Sequence, residues 1–262
     1  MPSESTKQVT VVVPADLGRD SSRAFLVDLD DALDTTTGEI VLDCSHLWNV
    51  TSSQIGILWQ AKTRCDAAGM TLRLAAVGSG LEKVLKLLDL YDVLVGPPDA
   101  PSAVMASEPE RATAGRPAAP EGAAANTLEL EFEVSTEGIG EAMDQFRSFL
   151  ASLGLPEMCV FDLGTAFYEV ATNARQHGGL RGRGRLSFTA VYQTGKVRLT
   201  FVDSGCPFDP SRQAPHFDVQ QAIRQHQNRG IGLFLVKKLM DSISYERVGD
   251  KNVVCLEKGV KK

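Results

Sequence analysis

The stretch EVATNARQH, residues 169–177, is the most informative segment of this chain. Its polar residues Glu169, Asn173 and His177 are spaced four residues apart, so one face of a helix presents all three. Two further short clusters follow in chain order, DSG at 203–205 and RGIG at 229–232. Each cluster alone is weak evidence, but the three together predict a site for a nucleotide.

The residues on this helix face have a chemistry that suits phosphoryl groups. The amide oxygen of Asn173 is a hard ligand that can hold Mg²⁺, and Mg²⁺ in turn bridges phosphate oxygens. Glu169, one turn earlier, is placed to take a proton from an attacking hydroxyl or water. His177 lies near the end of the helix, where Gly178 and Gly179 stop it. A polar helix face exposed to solvent is the alternative interpretation of the isolated helix.

The other two clusters carry groups that bind a base and phosphates. Asp203, at the end of a predicted strand, can accept a hydrogen bond from an exocyclic amine such as that of adenine, and Gly205 lets the base lie close to the backbone. Gly230 and Gly232 begin a mostly apolar helix, whose N–H groups and dipole favour an anion. Arg229 can add a charge-assisted contact to a phosphate. An ordinary Asp-Ser-Gly turn and a plain glycine turn before a helix are the alternatives.

The composition limits the class of protein. Hydrophobic residues make up 43% of the 262 residues and charged residues 23%, which is typical of a globular protein with buried cores. The N-terminus shows no secretory signal, and no apolar run is long enough for a membrane helix, so we expect a cytoplasmic protein. The five scattered cysteines form no C-x-x-C pair, which argues against a disulfide framework and a zinc site. The net charge of −6 gives no reason to expect nucleic acid or a membrane as partner.

Residues 97–127 divide the chain. This stretch contains half of the prolines, ten alanines and no aromatic residue. It cannot bury a core and is predicted to be a flexible linker. We therefore predict one domain at 1–96 and a second at 128–262.

The two predicted domains differ in architecture. Before the linker, strands at 9–13, 39–44 and 71–77 alternate with helices at 21–33, 52–68 and 81–90. This alternation predicts an α/β domain with a partly parallel sheet. After the linker we predict strands at 128–134, 185–192, 196–203, 243–247 and 253–257, and helices at 138–153, 157–177 and 231–240. The strands 185–192 and 196–203 are predicted to form a hairpin that turns at Gln193-Thr-Gly195, and 211–228 is predicted to be a loop over the nucleotide. That pattern predicts an α+β domain, with helices on one face of a mixed, mostly antiparallel sheet.

The second domain resembles a known family. The segments EVATNARQH, DSGCPFDP, NRGIGLFLVKKLMDSISYER and NVVCLEK are similar, in order and spacing, to the anti-sigma-factor serine kinases of the histidine-kinase/gyrase-type (Bergerat) ATPase fold. The resemblance covers residues 127–260 and implies ATP and Mg²⁺ as cofactors. It implies Glu169 as catalytic base, Asn173 as Mg²⁺ ligand, Asp203 as adenine contact, and Gly205, Gly230 and Gly232 as nucleotide-loop residues. From the helix face and the charge described above, His177 and Arg229 are added as candidate residues of the nucleotide site. Some relatives carry a threonine in the last strand, where this chain has Asn252 and Val253, and this departure predicts a lower affinity for adenine.

The first domain resembles a different family. The segment EIVLDCSHLWNVTSSQIGILWQAKTRCDAAG, residues 39–69, is similar to the anti-sigma-factor-antagonist (STAS) domain, in which a helix opens on a phosphorylatable serine. By position the phosphoacceptor is Ser52, with Ser53 second. Thr51 replaces the usual acidic residue and Gln54 the usual glycine. A phosphate at a helix N-terminus gains N–H donors and adds about −2 charge. The alternative is that Ser52 only caps the helix.

Together the two resemblances imply a partner-switching protein. In this interpretation the second domain is an ATP-dependent protein serine kinase, and it phosphorylates a STAS-domain serine in its own first domain or in a separate antagonist. A sigma factor is a candidate for the sequestered partner. Relatives of the kinase domain tend to dimerise, so a homodimer stays open. Two alternatives also stay open: the second domain binds ATP only to sequester partners, or the first domain is a regulator in cis and not a substrate.

Overall fold

The computed structural model describes residues 8–14, 19–36, 38–47, 49–95, 126–177, 184–207, 209, 219–225 and 230–260. The chain divides into two compact units. The first consists of Met1–Ala112 with Asp218–Asn228, and the second of Thr113–Phe217 with Arg229–Lys262. In the described residues no helix is both long and apolar enough to cross a membrane.

The first unit is built on a parallel three-stranded sheet of order β1-β2-β3. Its elements are β1 (Gln8–Val12), α1 (Arg19–Thr35), β2 (Glu39–Asp43), α2 (Ser52–Ala67), β3 (Thr71–Ala75), α3 (Ser79–Leu87) and α4 (Tyr91–Leu94). The central strand β2 buries Ile40, Val41 and Leu42 in succession. Consecutive buried residues are expected in a parallel strand, because both faces of such a sheet are covered. The predicted α/β domain is thus confirmed.

The second unit is built on a five-stranded antiparallel sheet of order β4-β5-β6-β8-β7. Its elements are β4 (Thr127–Glu133), α5 (Thr136–Ser152), α6 (Glu157–His177), β5 (Arg185–Gln193), β6 (Lys196–Asp203), α8 (Ile231–Leu239), β7 (Ser242–Val248) and β8 (Lys251–Gly259). Alternate residues of β5 and β6 are buried, so one face of the sheet forms the core and carries the helices. The predicted antiparallel sheet with helices is confirmed, and every strand pair that the structure describes in this sheet is antiparallel.

Turn chemistry determines the register of the β5–β6 hairpin. Thr194 and Gly195 both have positive φ angles, 51° and 74°, as a two-residue turn between antiparallel strands requires. The turn pairs Gln193 with Lys196 and sets the alternation that buries Phe188 and Phe201. The hairpin predicted around residues 193–195 is therefore present.

Aromatic packing holds helix α6 against the sheet. Phe146 of α5, Phe167 of α6, Phe188 of β5 and Phe201 of β6 are buried, and their neighbouring ring centroids lie 4.7–5.7 Å apart. Several pairs are tilted or edge-to-face, the geometry that aromatic rings prefer. Because Phe167 lies two residues before Glu169, this packing fixes how α6 presents its polar face.

Three sequence-based expectations change. The segment 211–228 was expected to be a loop, but it contains the short helix α7 (Val219–Arg224), which belongs to the first unit. Helix α4 was not expected, because a single turn leaves no helical periodicity to detect. The predicted linker, 97–127, extends one residue too far, because Thr127 already begins β4. Its residues 97–125 lie outside the described residues. The domain limits of 1–96 and 128–262 stay a prediction.

Candidate functional site

A cleft in the second unit brings together residues of α6, the sheet and α8. The cleft is partly open to solvent. Its lining residues are Val170, Asn173, Ala174, Leu186, Phe201, Asp203, Cys206, Leu233, Asn252 and Val254. Most of these are apolar, and three amide or carboxyl side chains face the same space. Such a lining suits a flat ring that has a polar edge.

Asp203 supplies the carboxylate of this cleft. It is the last residue of β6, and its side chain is half-buried. Its Oδ1 accepts a hydrogen bond from the backbone N–H of Gly205 at 2.7 Å, which closes a tight turn after the strand. Gly205 itself is buried. The predicted turn is therefore present, and its carboxylate lines a cleft instead of only closing the turn.

Helix α6 presents Asn173 to the cleft and Glu169 one turn before it. Glu169 is only 3% exposed, so this carboxylate is largely removed from bulk water. Asn173 is half-buried, and its buried amide nitrogen has no hydrogen-bond partner among the described residues. A solvated polar helix face would not bury these two groups. His177 is the last residue of α6, and its side chain lies outside the described residues.

The site fits a metal ion that is held mainly by phosphate. Among the described residues, no group of three or more His, Cys, Asp or Glu side chains could hold a metal ion. Asn173 lines the cleft, and its amide carries an oxygen of the hard type that Mg²⁺ binds. Mg²⁺ commonly uses one or two protein ligands together with phosphates and water, and the single amide meets that requirement.

The start of α8 has the backbone form expected of an anion site. Gly230 is the N-cap residue of α8, with φ 92° and ψ −22°, a left-handed conformation that favours glycine. Gly232 is buried in the first turn, and the next residue, Leu233, lines the cleft. The first N–H groups of a helix have no partner within the helix, so the start of α8 is suited to bind an anion beside the cleft. Arg229 lies outside the described residues.

Asn252 is a site residue whose role the sequence did not indicate. It lies in β8 directly opposite Asp203 of β6, is 3% exposed and lines the cleft. Its Nδ2 donates to Asp203 Oδ1 at 2.8 Å. The sequence indicated only that a threonine is absent here. The pairing of β6 with β8 follows from a crossover in strand order, which no local pattern reveals.

The phosphoacceptor candidates lie in the first unit, at the start of α2. Thr51 is the N-cap residue, and its Oγ1 accepts from the N–H of Gln54 at 3.3 Å. The Gln54 side chain in turn accepts from the N–H of Thr51 at 2.8 Å, so the two residues form a capping box. The alternative in which Ser52 caps the helix is wrong, because Thr51 performs that function. Ser52 and Ser53 are the first two helical residues, and both are half-buried.

Comparisons with known proteins agree with both domain resemblances. Residues 132–258 match the model described as histidine kinase-like ATPase domain, and residues 1–96 match that described as Mlab, STAS domain. A search of curated proteins finds no match.

Two solved structures are similar over half of the chain. One contains the RsbU and RsbW domains of a Mycobacterium tuberculosis protein, with 15% identity, a TM-score of 0.36, and 51% of this chain and 32% of that chain covered. The other is the SiaB-SiaC complex from Pseudomonas aeruginosa, with 14% identity, a TM-score of 0.37, and 51% of this chain and 89% of that chain covered. This chain thus spans about a third of the first of these proteins. The domain assignment depends on the two family matches and not on these structures.

Proposed function

We propose that this chain, which joins a STAS domain to a histidine kinase-like ATPase domain, is an ATP-dependent protein serine kinase of a partner-switching system. The observation that carries the proposal is the single cleft that brings Asn173 and Asp203 together, with buried Glu169 one helical turn from Asn173. Nucleotide binding follows from the ATPase domain itself. Transfer of a phosphoryl group to serine is the further step that we infer.

ATP binds with its adenine in the cleft. The apolar walls, which include Phe201, Leu233 and Val254, remove the ring faces from water. The Asp203 carboxylate accepts a hydrogen bond from the adenine amine at the polar end of the cleft. The triphosphate extends toward the first turn of α8, because the N-terminus of a helix attracts an anion through its backbone N–H groups and its dipole.

Phosphoryl transfer uses Glu169 and Asn173, one turn apart on α6. Asn173 would hold Mg²⁺ through its amide oxygen, and the ion when bound would supply positive charge to the phosphate oxygens. Glu169 accepts the proton of the substrate serine hydroxyl while the serine oxygen bonds to the γ-phosphorus. The bond between the γ-phosphorus and the bridging β–γ oxygen breaks, and ADP leaves. Burial of Glu169 supports this role, because a base shielded from water interacts more strongly with the reacting hydroxyl.

The substrate serine belongs to a STAS domain. Within this chain Ser52 is the first candidate and Ser53 the second, at the start of α2. A phosphate there adds about −2 charge beside a helix N-terminus and changes which surface can dock. The same chemistry applies to a separate STAS antagonist. A sigma factor is the proposed client, sequestered by the kinase domain, and a homodimer is the proposed assembly.

Labelling of the purified full chain with γ-labelled ATP and Mg²⁺ tests this proposal. We expect mass spectrometry to locate phosphate on Ser52 or Ser53, or on a STAS domain added in trans. Glu169→Gln should reduce transfer at least 100-fold, about the lower limit for a lost general base, while ATP still binds. Glu157→Gln, an exposed change on the same helix, is the matched control and should leave transfer unchanged.

Other results of these experiments would contradict particular parts of the proposal. Full transfer by Glu169→Gln would refute the role of the base. ATP binding with no phosphate on any serine would favour the sequestration module over the kinase. Faster phosphorylation of an added STAS domain after removal of residues 1–96 would make the first domain a regulator in cis. For the metal, Asn173→Ala should weaken binding of Mg²⁺·ATP, and an unchanged calorimetric titration would contradict that assignment.

A further inference from the structure

Asn252 occupies the centre of a polar network beneath the cleft. The register of the sheet places it opposite Asp203 of β6 on one side and opposite Arg247 of β7 on the other. Side chains directly opposite each other in a sheet lie on the same face, so these three groups meet. Tyr245, two residues before Arg247, lies on this face as well. Asn252 is 3% exposed, and its polar atoms therefore depend on protein partners.

Every hydrogen-bonding position of the Asn252 amide is used. Nδ2 donates to Asp203 Oδ1 at 2.8 Å and to the carbonyl of Cys206 at 3.0 Å. Oδ1 accepts from the Tyr245 hydroxyl at 2.8 Å and from Arg247 Nη1 at 2.7 Å. The amide therefore has no donor or acceptor left to contact a nucleotide.

The same bonds determine which way the amide points. If the amide were rotated by 180°, its oxygen would face the Asp203 carboxylate and the Cys206 carbonyl, and its NH₂ would face the Arg247 guanidinium. Acceptor would then meet acceptors and donor would meet donor, so only the observed orientation satisfies all the groups. Arg247 also donates to the carbonyl of Gly205 at 2.8 Å, which ties the turn after β6 to the same network.

The network fixes the Asp203 carboxylate. Its Oδ1 accepts from both the Gly205 N–H and Asn252 Nδ2, so rotation of the carboxylate would break two hydrogen bonds. No group among the described residues donates to Oδ2. Asp203 therefore lines the cleft with Oδ1 hydrogen-bonded to the protein and Oδ2 available as an acceptor.

We propose that Asn252, oriented by Tyr245 and Arg247, is a positioning residue that makes Asp203 select purines with an amino group at C6. A 6-amino group donates to Oδ2, whereas a 6-oxo group brings an acceptor against an acceptor. This inference rests on the proposed function, because it concerns the base that the same cleft binds. It also gives Asn252 a role where the sequence indicated only a missing threonine and a lower affinity for adenine.

Titration calorimetry of the full chain with ATP and with inosine triphosphate tests the inference. Inosine triphosphate keeps the triphosphate and the purine ring but carries a 6-oxo group. We expect the wild-type chain to bind ATP at least tenfold more tightly than inosine triphosphate. Asn252→Leu should lower the affinity for ATP at least tenfold and change that for inosine triphosphate less than twofold. Glu257→Gln, on the same strand and bonded to Arg198 instead, is the matched control and should leave both affinities unchanged.

The outcomes separate this inference from the proposed function. Equal binding of the two nucleotides by the wild-type chain, or an unchanged ratio in Asn252→Leu, would overturn the positioning role while ATP binding stands. A parallel loss of both affinities would also overturn it, since general loosening of the site has that effect. If Asn252→Leu does not fold, the double variant Tyr245→Phe/Arg247→Met takes its place in the same comparison of ATP with inosine triphosphate, because it removes both donors to Asn252 Oδ1. A wild-type chain that binds neither nucleotide would refute the proposed function itself.

Discussion

Replacing Thr51 by alanine should destabilise the first unit, whereas replacing its neighbour Ser52 should not. Thr51 Oγ1 accepts from the N–H of Gln54, and the Gln54 side chain accepts from the N–H of Thr51. Thr51 is 5% exposed and Gln54 2%. Water therefore cannot readily replace the lost threonine oxygen as the acceptor for the N–H of Gln54.

The magnitude follows from these contacts. Loss of a capping side chain costs about 1 kcal/mol. A buried donor that loses its acceptor costs about 1–3 kcal/mol. The bond lost here is long, 3.3 Å, so we expect its loss to cost an amount near the lower end of that range. We expect Thr51→Ala to lower the free energy of unfolding by about 1–2 kcal/mol. Ser52 is half-buried and is not the cap, so Ser52→Ala should cost about 0.5 kcal/mol or less.

Tryptophan fluorescence can report the unfolding of the first unit. Both tryptophans of the chain, Trp48 and Trp59, belong to the N-terminal part of the sequence. Tryptophan fluorescence during urea unfolding of the full chain therefore follows the first unit, and linear extrapolation gives its free energy of unfolding. Thr51→Ser keeps the capping oxygen and is the matched control, with a free energy close to that of the wild type.

The opposite ranking would refute the reasoning. If Ser52→Ala cost as much as Thr51→Ala, or if Thr51→Ala and Thr51→Ser were indistinguishable, Thr51 would not be the cap. The result also bears on the phosphorylation test. If the Ser52→Ala chain is as stable as the wild type but gains no phosphate, phosphorylation was lost because the acceptor hydroxyl is missing and not because the first unit unfolded.

Three further changes address the second unit. Gly230→Ala should strain the left-handed N-cap of α8 by about 1 kcal/mol and weaken ATP binding severalfold, as measured by calorimetry. Lys258→Met removes the ammonium group that lies 2.7 Å from the buried carboxylate of Asp162, and should lower the free energy of unfolding by about 3 kcal/mol in urea titrations followed by circular dichroism. Cys206 is exposed and lines the cleft, so iodoacetamide should modify it in the native chain and bound ATP should protect it, as mass spectrometry of the labelled peptides can determine.

Each change has a control at a comparable position. Gly249→Ala strains a glycine with φ 61° in a strand turn outside the cleft lining, and should leave ATP affinity unchanged. Arg185→Met breaks an exposed ion pair with Glu131 and should cost less than about 1 kcal/mol. Burial, together with the charge of Asp43, raises the pKa of the Cys44 thiol to about 12, so Cys44 should stay unlabelled at pH 8. A control that changes as much as its partner would contradict the corresponding argument.

Local patterns sufficed for most of the architecture. Helix α6 was predicted with the bounds that it has, because its apolar residues recur at helical spacing and Gly178 follows it. The β5–β6 hairpin was predicted from alternation and a Thr-Gly turn, both of which are properties of neighbouring residues. The same spacing placed Glu169 and Asn173 on one helix face, since residues four apart on a helix are always neighbours.

The surroundings of those residues depended on contacts between distant segments. Asp203 and Asn252 are 49 residues apart in sequence, and they meet because β8 lies between β6 and β7 in the sheet. The sequence by itself determined the two domain types, the helix that carries Glu169 and Asn173, and the serine pair at the start of α2. The structure showed that Thr51 caps α2, which the Thr-x-x-Gln spacing at 51–54 is able to indicate, and that Asn252 donates a hydrogen bond to Asp203. Only the second contact needed the tertiary structure, because a cross-strand pair depends on strand order, which the spacing of neighbouring residues does not encode.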